Sequence, residues 1–267
     1  MGYTCLARWT SSTAVGFNHV CEIISRNHLG VRKARWQLVI RSYKSIVPRQ
    51  GGGDSQLYTI SSPDTTYALI DDSAAPLRFD ATSETVQPTH FRETFVTVSG
   101  SIDDLLLNTK APWARTGMHV QIDGLVFAIG TDWVVRVGNI LLPGGQNRGL
   151  LLETEYLPFP RVPGSAHSQD IINMSSGLVT SLIPSYGRDS AKVMRFYAEE
   201  EWNQVTGPQD TESEQPISTD ETSEDDLYAY GVTASHQSPE NQTTDLERDR
   251  RSVFLIHGVL RSEGILV

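Results

Sequence analysis

Two cysteines, Cys5 and Cys21, are all the thiol chemistry this 267-residue chain offers. They cannot build a disulfide framework, and neither stands in a CxxC or Cys/His zinc spacing, so a reducing compartment is expected. No run approaches the roughly 18 apolar residues a membrane-spanning helix needs. The opening Met1 to Gly16 lacks the apolar core of a secretory signal, and Leu6 stands where N-myristoylation favours Ser or Thr. Concentrated basic charge is also missing. The best cluster, Arg32, Lys33 and Arg35, is short and split by Ala34, so it reads as a solvated surface and no direct nucleic-acid contact is expected. Catalytic signatures are absent as well. The histidines, His90, His119 and His257 among them, form no HExxH, and no GxSxG occurs. The glycine-rich stretch from Gly144 to Gly149 lacks the GK[ST] ending that cradles phosphate. No cofactor, metal or catalytic set is therefore expected.

What the chain does carry is acid in one place. The formal charge is −10, yet eleven Asp and Glu and no Lys or Arg lie between Thr206 and Glu247. Without them the remainder holds 22 basic and 21 acidic residues and is near neutral. That stretch is rich in Thr, Ser and Pro and poor in large apolar side chains, so it cannot bury enough surface to offset the entropy of ordering. Three units follow: a folded domain over 1–205, an acidic disordered insertion over 206–250, and an apolar helix over 251–267 that docks on the domain.

The domain reads as strands. Gly16 to Leu29 has helical spacing, with Phe17, Val20, Ile23 and Ile24 apolar. Ala34 to Tyr43 then alternates as a half-buried strand. Gln56–Ser61 and Thr66–Ile70 flank a Ser-Pro-Asp turn, and Leu77–Phe79 and Phe95–Val98 are further strands. Ser101–Asn108 has the look of a capped short helix. Met118–Ile122 and Leu125–Ile129 flank Asp123-Gly124, a hairpin cue, and Asp132–Leu142 and Leu150–Tyr156 flank a glycine-rich turn. Ser168–Ile183 and Asp189–Trp202 read as helices. The expectation is an α+β fold, an antiparallel β-barrel with helices packed outside.

One pair of residues suggests chemistry. Glu153 and Glu155, two apart on a strand, share a face. Inside a barrel such carboxylates can hold a hard cation. The other strands supply no matching carboxylates, and Arg136 alone faces them. The expectation is therefore an exposed cross-strand ion pair, with Val135, Val137, Leu152 and Tyr156 turned inward.

This hairpin also carries a resemblance. Asp132-Trp133-Val134-Val135-Arg136-Val137-Gly138, a Pro-Gly-Gly turn, and Gly149-Leu150-Leu151-Leu152-Glu153-Thr154-Glu155-Tyr156 resemble the signature hairpin of Mediator complex subunit 20. The start Met1-Gly2-Tyr3-Thr4-Cys5, the strand at Gln56-Leu57-Tyr58, the run Asp103-Asp104-Leu105-Leu106 and the tail from Ser252 to Gly264 are similar to that family's elements in the same order. The resemblance covers about residues 1–205 and 251–267; the acidic stretch departs from it, as in fungal-type members with an insertion. It implies a β-barrel akin to the RNA triphosphatase tunnel without its metal-binding glutamates. It further implies a nuclear coactivator subunit of the Mediator head module. Such a subunit heterodimerises with subunit 18, is tethered by subunit 8, and contacts RNA polymerase II through the assembly. The leading expectation is thus a non-catalytic assembly subunit and no enzyme. The alternatives are a tunnel-type metal-dependent phosphohydrolase using Glu153 and Glu155, and a binder acting through its acidic segment.

Overall fold

The first strand, β1 (Tyr3–Trp9), is buried along its whole length. It comes from a segment whose alternation is hidden because both of its faces are covered. The computed structural model describes residues 3–12, 14–47, 54–78, 90–98, 100, 102–108, 112–158, 165–196, 198–207 and 239–266. After β1 come α1 (Ala14–Asn27), β2 (Val31–Ser45), β3 (Ser55–Ser61), β4 (Thr66–Asp72), β5 (Glu93–Val98) and α2 (Ile102–Asn108). Then follow β6 (Trp113–Ile129), β7 (Trp133–Leu142), β8 (Gln146–Tyr156) and α3 (Ser165–Leu182). A 3-10 turn (Ser185–Ser190), β9 (Ala191–Phe196), α4 (Glu199–Thr206) and α5 (Pro239–Ser262) complete the order.

The fold is α+β, built on one nine-stranded antiparallel sheet in the order β5-β4-β3-β2-β6-β7-β8-β1-β9. The expected closed barrel is met only in part. The sheet is large and antiparallel, but among the described residues its end strands β5 and β9 do not pair with each other. It curls instead around α5. Arg8 of β1 pairs with Glu263 just beyond that helix at 2.8 Å, while Arg261 near the helix end pairs with Asp71 of β4. Strands far apart in sheet order thus reach the same helix.

Two apolar layers result. On the inner face Leu6, Leu38, Ile40, Tyr58, Ile60 and Ile122 pack against Val253, Ile256, Val259 and Leu260 of α5. On the outer face Ala7, Val135, Val137, Leu150 and Leu152 pack against Val20 and Ile24 of α1 and Val179 and Leu182 of α3. Cys5 lies in this layer, where burial pushes its thiol up to about 12; Cys21 of α1, partly buried, is pushed up to about 11. Neither is poised as a thiolate at neutral pH.

Several expectations are corrected. Helices α1 and α3 do pack outside, but α5 lies inside the curl. It also begins at Pro239, within the stretch expected to be disordered, and is longer than the expected tail helix; residues 208–238 of that stretch lie outside the described ones. Asp123-Gly124 is no turn but the middle of β6. Asp123 is held by Arg35 and Gln37 on β2, and Gly124 faces Gly138 across the pair with β7. A Cβ on Gly124 would meet the Val137 carbonyl oxygen at 1.9 Å, so the glycine serves close strand approach rather than chain reversal. Asp189–Trp202 is not one helix. It divides into the end of the 3-10 turn, β9 and the first part of α4, because tertiary pairing of β9 with β1 overrides local propensity. Leu77 and Arg78 are not in a strand, and Phe79 lies outside the described residues.

Candidate functional site

The hairpin of β7 and β8 is the one read from the sequence. Gly144 and Gly145 adopt φ of +84° and +79°, which a side chain would resist, and the turn closes with Gly145 N donating to Leu142 O at 3.0 Å. The register sets Arg136 opposite Glu153 and Val134 opposite Glu155. A strand's period of two then sends Arg136, Leu151, Glu153 and Glu155 to the inner face and Val135, Val137 and Leu152 to the outer one. The expected cross-strand partner is correct; the expected faces are reversed. The cause is that both faces of the hairpin are covered. The valines meet α1 and α3, and the charged side chains meet α5, which supplies their partners.

Glu153 is fully buried and Glu155 is 2% exposed. Arg136 donates to Glu153, and also to Glu155 at 3.3 Å and to Asp249 at 3.4 Å. Arg248 of α5 grips both oxygens of Glu155, at 2.5 and 3.1 Å, in the bidentate geometry favoured by guanidinium and carboxylate. The Ser252 hydroxyl donates to the second oxygen of Glu153 at 2.6 Å. Every carboxylate oxygen of the pair thus has a donor, which is the condition under which buried ions are tolerated.

The two acids are driven apart. Burial raises Glu153 above the usual carboxylate range, more than Arg136 and Ser252 can offset. Burial pushes Glu155 the same way, but the Arg248 hydrogen bonds and the Arg136 charge reverse it and hold it below that range. Burial opposes the charge on Arg136, yet Glu153, Glu155 and Asp249 around it hold its pKa above the ordinary value.

The other signature residues are placed by the same hairpin. Trp133 pairs with Tyr156 across the strands, their rings 4.7 Å apart. The Asp132 carbonyl accepts from Leu157 N at 2.7 Å and locks the hairpin's open end. Gly138 opposes Gly124, and Gly149, at φ +115°, lies where a Cβ would meet the Trp9 carbonyl oxygen at 2.5 Å. These are structural positions; the charged centre is Arg136, Glu153 and Glu155. Sequence reasoning missed Arg248, Asp249 and Ser252, which arrive from more than ninety residues away. Their one signal is the run Arg248-Asp249-Arg250-Arg251, where basic residues return just before an apolar helix.

No family model matches the chain, and no curated protein matches it. Among solved structures it is similar to a Pyrococcus horikoshii protein, at 9% identity and TM-score 0.38, over 70% of this chain and 93% of that one. It is also similar to an inorganic triphosphatase (8%, TM-score 0.29, 64% and 79%) and to a mimivirus capping-enzyme triphosphatase (7%, TM-score 0.31, 67% and 89%). The expectation that the chain is no enzyme is corrected here. Two of these neighbours are triphosphatases, and Glu153 and Glu155, expected on a solvent face, lie inside. At these identities, and with each of these TM-scores below 0.5, the likeness assigns no activity to this chain.

Proposed function

We propose that this chain is a subunit of the nuclear Mediator head module, pairing with subunit 18, tethered by subunit 8, and linking regulators to RNA polymerase II through that assembly. The observation carrying this reading is that the inner face of the sheet is filled by the chain's own helix α5. Arg248 and Ser252 of that helix satisfy the buried glutamates. Recognition is then left to the outside. There the described residues expose apolar side chains at Leu29, Val31, Ile46, Val47, Val96 and Leu105, and a covered interface of roughly 1,200–2,000 Å² is the usual size for a stable pair. The resemblance of the β7–β8 hairpin residues to the subunit 20 signature supports the same reading.

Co-expression with subunits 18 and 8 tests it. One soluble complex at equal stoichiometry is expected. Deletion of residues 208–238 should leave that complex intact, and truncation before Ser252 should abolish it, since the helix completes the inner core. A purified chain that ignores subunit 18 overturns the reading.

A tunnel-type phosphohydrolase is the second reading, favoured by the placement of Glu153 and Glu155 on the inner face beside Arg136 and Arg248. As arranged, their oxygens are occupied by guanidinium and hydroxyl donors, so they do not fit a divalent cation. Among the described residues no group of three or more His, Cys, Asp or Glu is placed to hold one. Release of inorganic phosphate from a nucleoside triphosphate, lost in Glu153→Gln, would select this reading over the first.

A further inference from the structure

β2 outruns its neighbour on one side. β6 pairs with it from Val31 to Ser45, but β3 only from Val39 to Lys44. Among the described residues, Val31 to Leu38 therefore have a free edge on the β3 side, where every second residue turns its N–H and C=O away from the sheet. Val31 to Arg35 are all exposed.

Two features single this edge out. The first is an apolar side chain held out at a cost. Leu29, which closes α1, has φ +53°, a left-handed conformation that favours glycine, and is 79% exposed. Val31 beside it is 58% exposed. The fold thus strains a leucine without burying it. The second is charge. Glu22 pairs with Arg26 and Asp123 with Arg35, while Arg32 and Lys33 have no ion-pair partner among the described residues. Even with Asp132 of the nearby β6–β7 turn counted among the acids, these four cations outnumber them. A register shift between Arg32 and Ala34 also twists the edge. A second copy of so basic an edge is repelled, whereas an acidic strand is matched.

The chain itself carries a segment of that chemistry. Within the acidic stretch, Glu224-Asp225-Asp226 leads directly into Leu227-Tyr228-Ala229-Tyr230, whose leucine and tyrosines are its large apolar side chains. The chain re-enters the described residues at Pro239, the start of α5. Asp249 of that helix shares a cleft with Arg35 and Trp36 of the free edge, while Arg261 pairs with Asp71 at the level of Lys44. α5 therefore runs in the same direction as β2, and Pro239 lies about 15 Å before Asp249, beyond the end of the sheet where Val31 stands. From Tyr230 to Pro239 the chain can span about 30 Å, which puts the segment within reach of the edge.

We propose that residues 224–230 dock antiparallel along the free edge of β2, their acids beside Arg32 and Lys33 and their leucine and tyrosines over Val31 and Leu29. The assembly reading gives this segment no role, and the proposal does not rest on it. Amide hydrogen exchange resolved by NMR tests it, on the full chain and on a variant with a Gly-Ser run of equal length in place of residues 218–234. The outward amides of Val31–Arg35 should exchange at least about tenfold more slowly in the full chain. A peptide of residues 220–234 should restore that protection saturably in the Gly-Ser variant. It should bind the full chain at least about tenfold more weakly, because the edge is already covered. Arg32→Glu with Lys33→Glu, both exposed, should weaken the peptide by a similar factor. Leu29→Gly should weaken it too, although the change relieves backbone strain and spares the fold. Equal exchange in the two chains overturns the proposal, as does an unchanged peptide affinity in either folded edge variant. Equal peptide affinity for both chains would reveal an edge kept open for an acidic partner. Protection that rises with protein concentration would reveal a second copy; either also overturns it.

Discussion

The two faces of the sheet are both buried, yet they are built from different chemistry. Among the described residues, the outer layer under α1 and α3 is apolar and free of ion pairs, with Val135, Val137, Leu150, Leu152, Val179 and Leu182 beside Trp9 and Phe127. The inner layer around α5 mixes large aromatics with ion pairs: Trp202, Tyr58, Tyr67 and Phe95 beside Arg136–Glu153, Arg248–Glu155, Arg8–Glu263 and Arg261–Asp71. The outer layer has the make-up of plain stabilising packing. Buried charge is poor at stabilising, because desolvation consumes most of the Coulomb gain. Apart from Arg41–Asp103 under α2 on the other face, it gathers around α5, and this points to specification: the pairs fix where α5 sits in the curl, since sliding it by one turn would orphan Glu155 and Asp71 together.

The largest effect should come from breaking one inner pair. Arg136→Ala leaves Glu153 buried without its cation and should cost about 4 kcal/mol in denaturant unfolding. Replacing both partners, Arg136→Met with Glu153→Leu, should recover most of that loss; a double variant as unstable as the single one would mean that shape, not charge, governs the inner face. On the outer face Leu182→Ala should cost about 3 kcal/mol, and the loss should not change with pH, since no ionisable group is exposed by the cavity. A pH-dependent loss would erase the contrast between the faces.

Acidity should separate the faces further. Glu155 is held below its unfolded value, so its contribution is present above the ordinary carboxylate range and is lost as pH falls through its folded value. Glu155→Gln should therefore flatten the acid limb of stability. Glu153 is raised, so its contribution is fully present below its unfolded value and is lost as pH rises through the folded one. Glu153→Gln should remove a slope of the opposite sign. Denaturant midpoints across the acid range read both, and parallel curves for the two variants would contradict the assignment. The smallest change is at the surface. Arg26–Glu22, an exposed i,i+4 pair at 2.7 Å on α1, should contribute about 0.3–0.5 kcal/mol, so Glu22→Gln should barely move the midpoint.

The hairpin was readable from sequence because its turn chemistry is local. Pro143-Gly144-Gly145 demands reversal, and the alternation around Arg136 and Glu153 brings those two opposite. Which face was inside was not readable, because alternation reports two surfaces and names neither when both are covered. Asp123-Gly124 carried a local hairpin cue that β2 and β7 overrode by pairing on both sides of β6. β1 and β9 were missed for a related reason: their partners lie far along the chain, and strand pairing over such distances leaves little mark on composition. Of the charged centre, the two glutamates and Arg136 were legible; Arg248 and Ser252 were not, because nothing in α5 says which surface it meets.

The hydrogen bond between Arg8 and Glu263 joins residues 255 positions apart. β1 meets its neighbours β8 and β9 only after all the strands between have been made, and its salt-bridge partner later still. So remote a set of contacts slows folding. Before α5 docks, Glu153 and Glu155 lack the Arg248 and Ser252 donors and would be left to water, a polar patch on an otherwise apolar face. Charges that add little net stability to the finished protein would thus make the unfinished one less adhesive, since exposed apolar surface is what drives aggregation of incomplete folds.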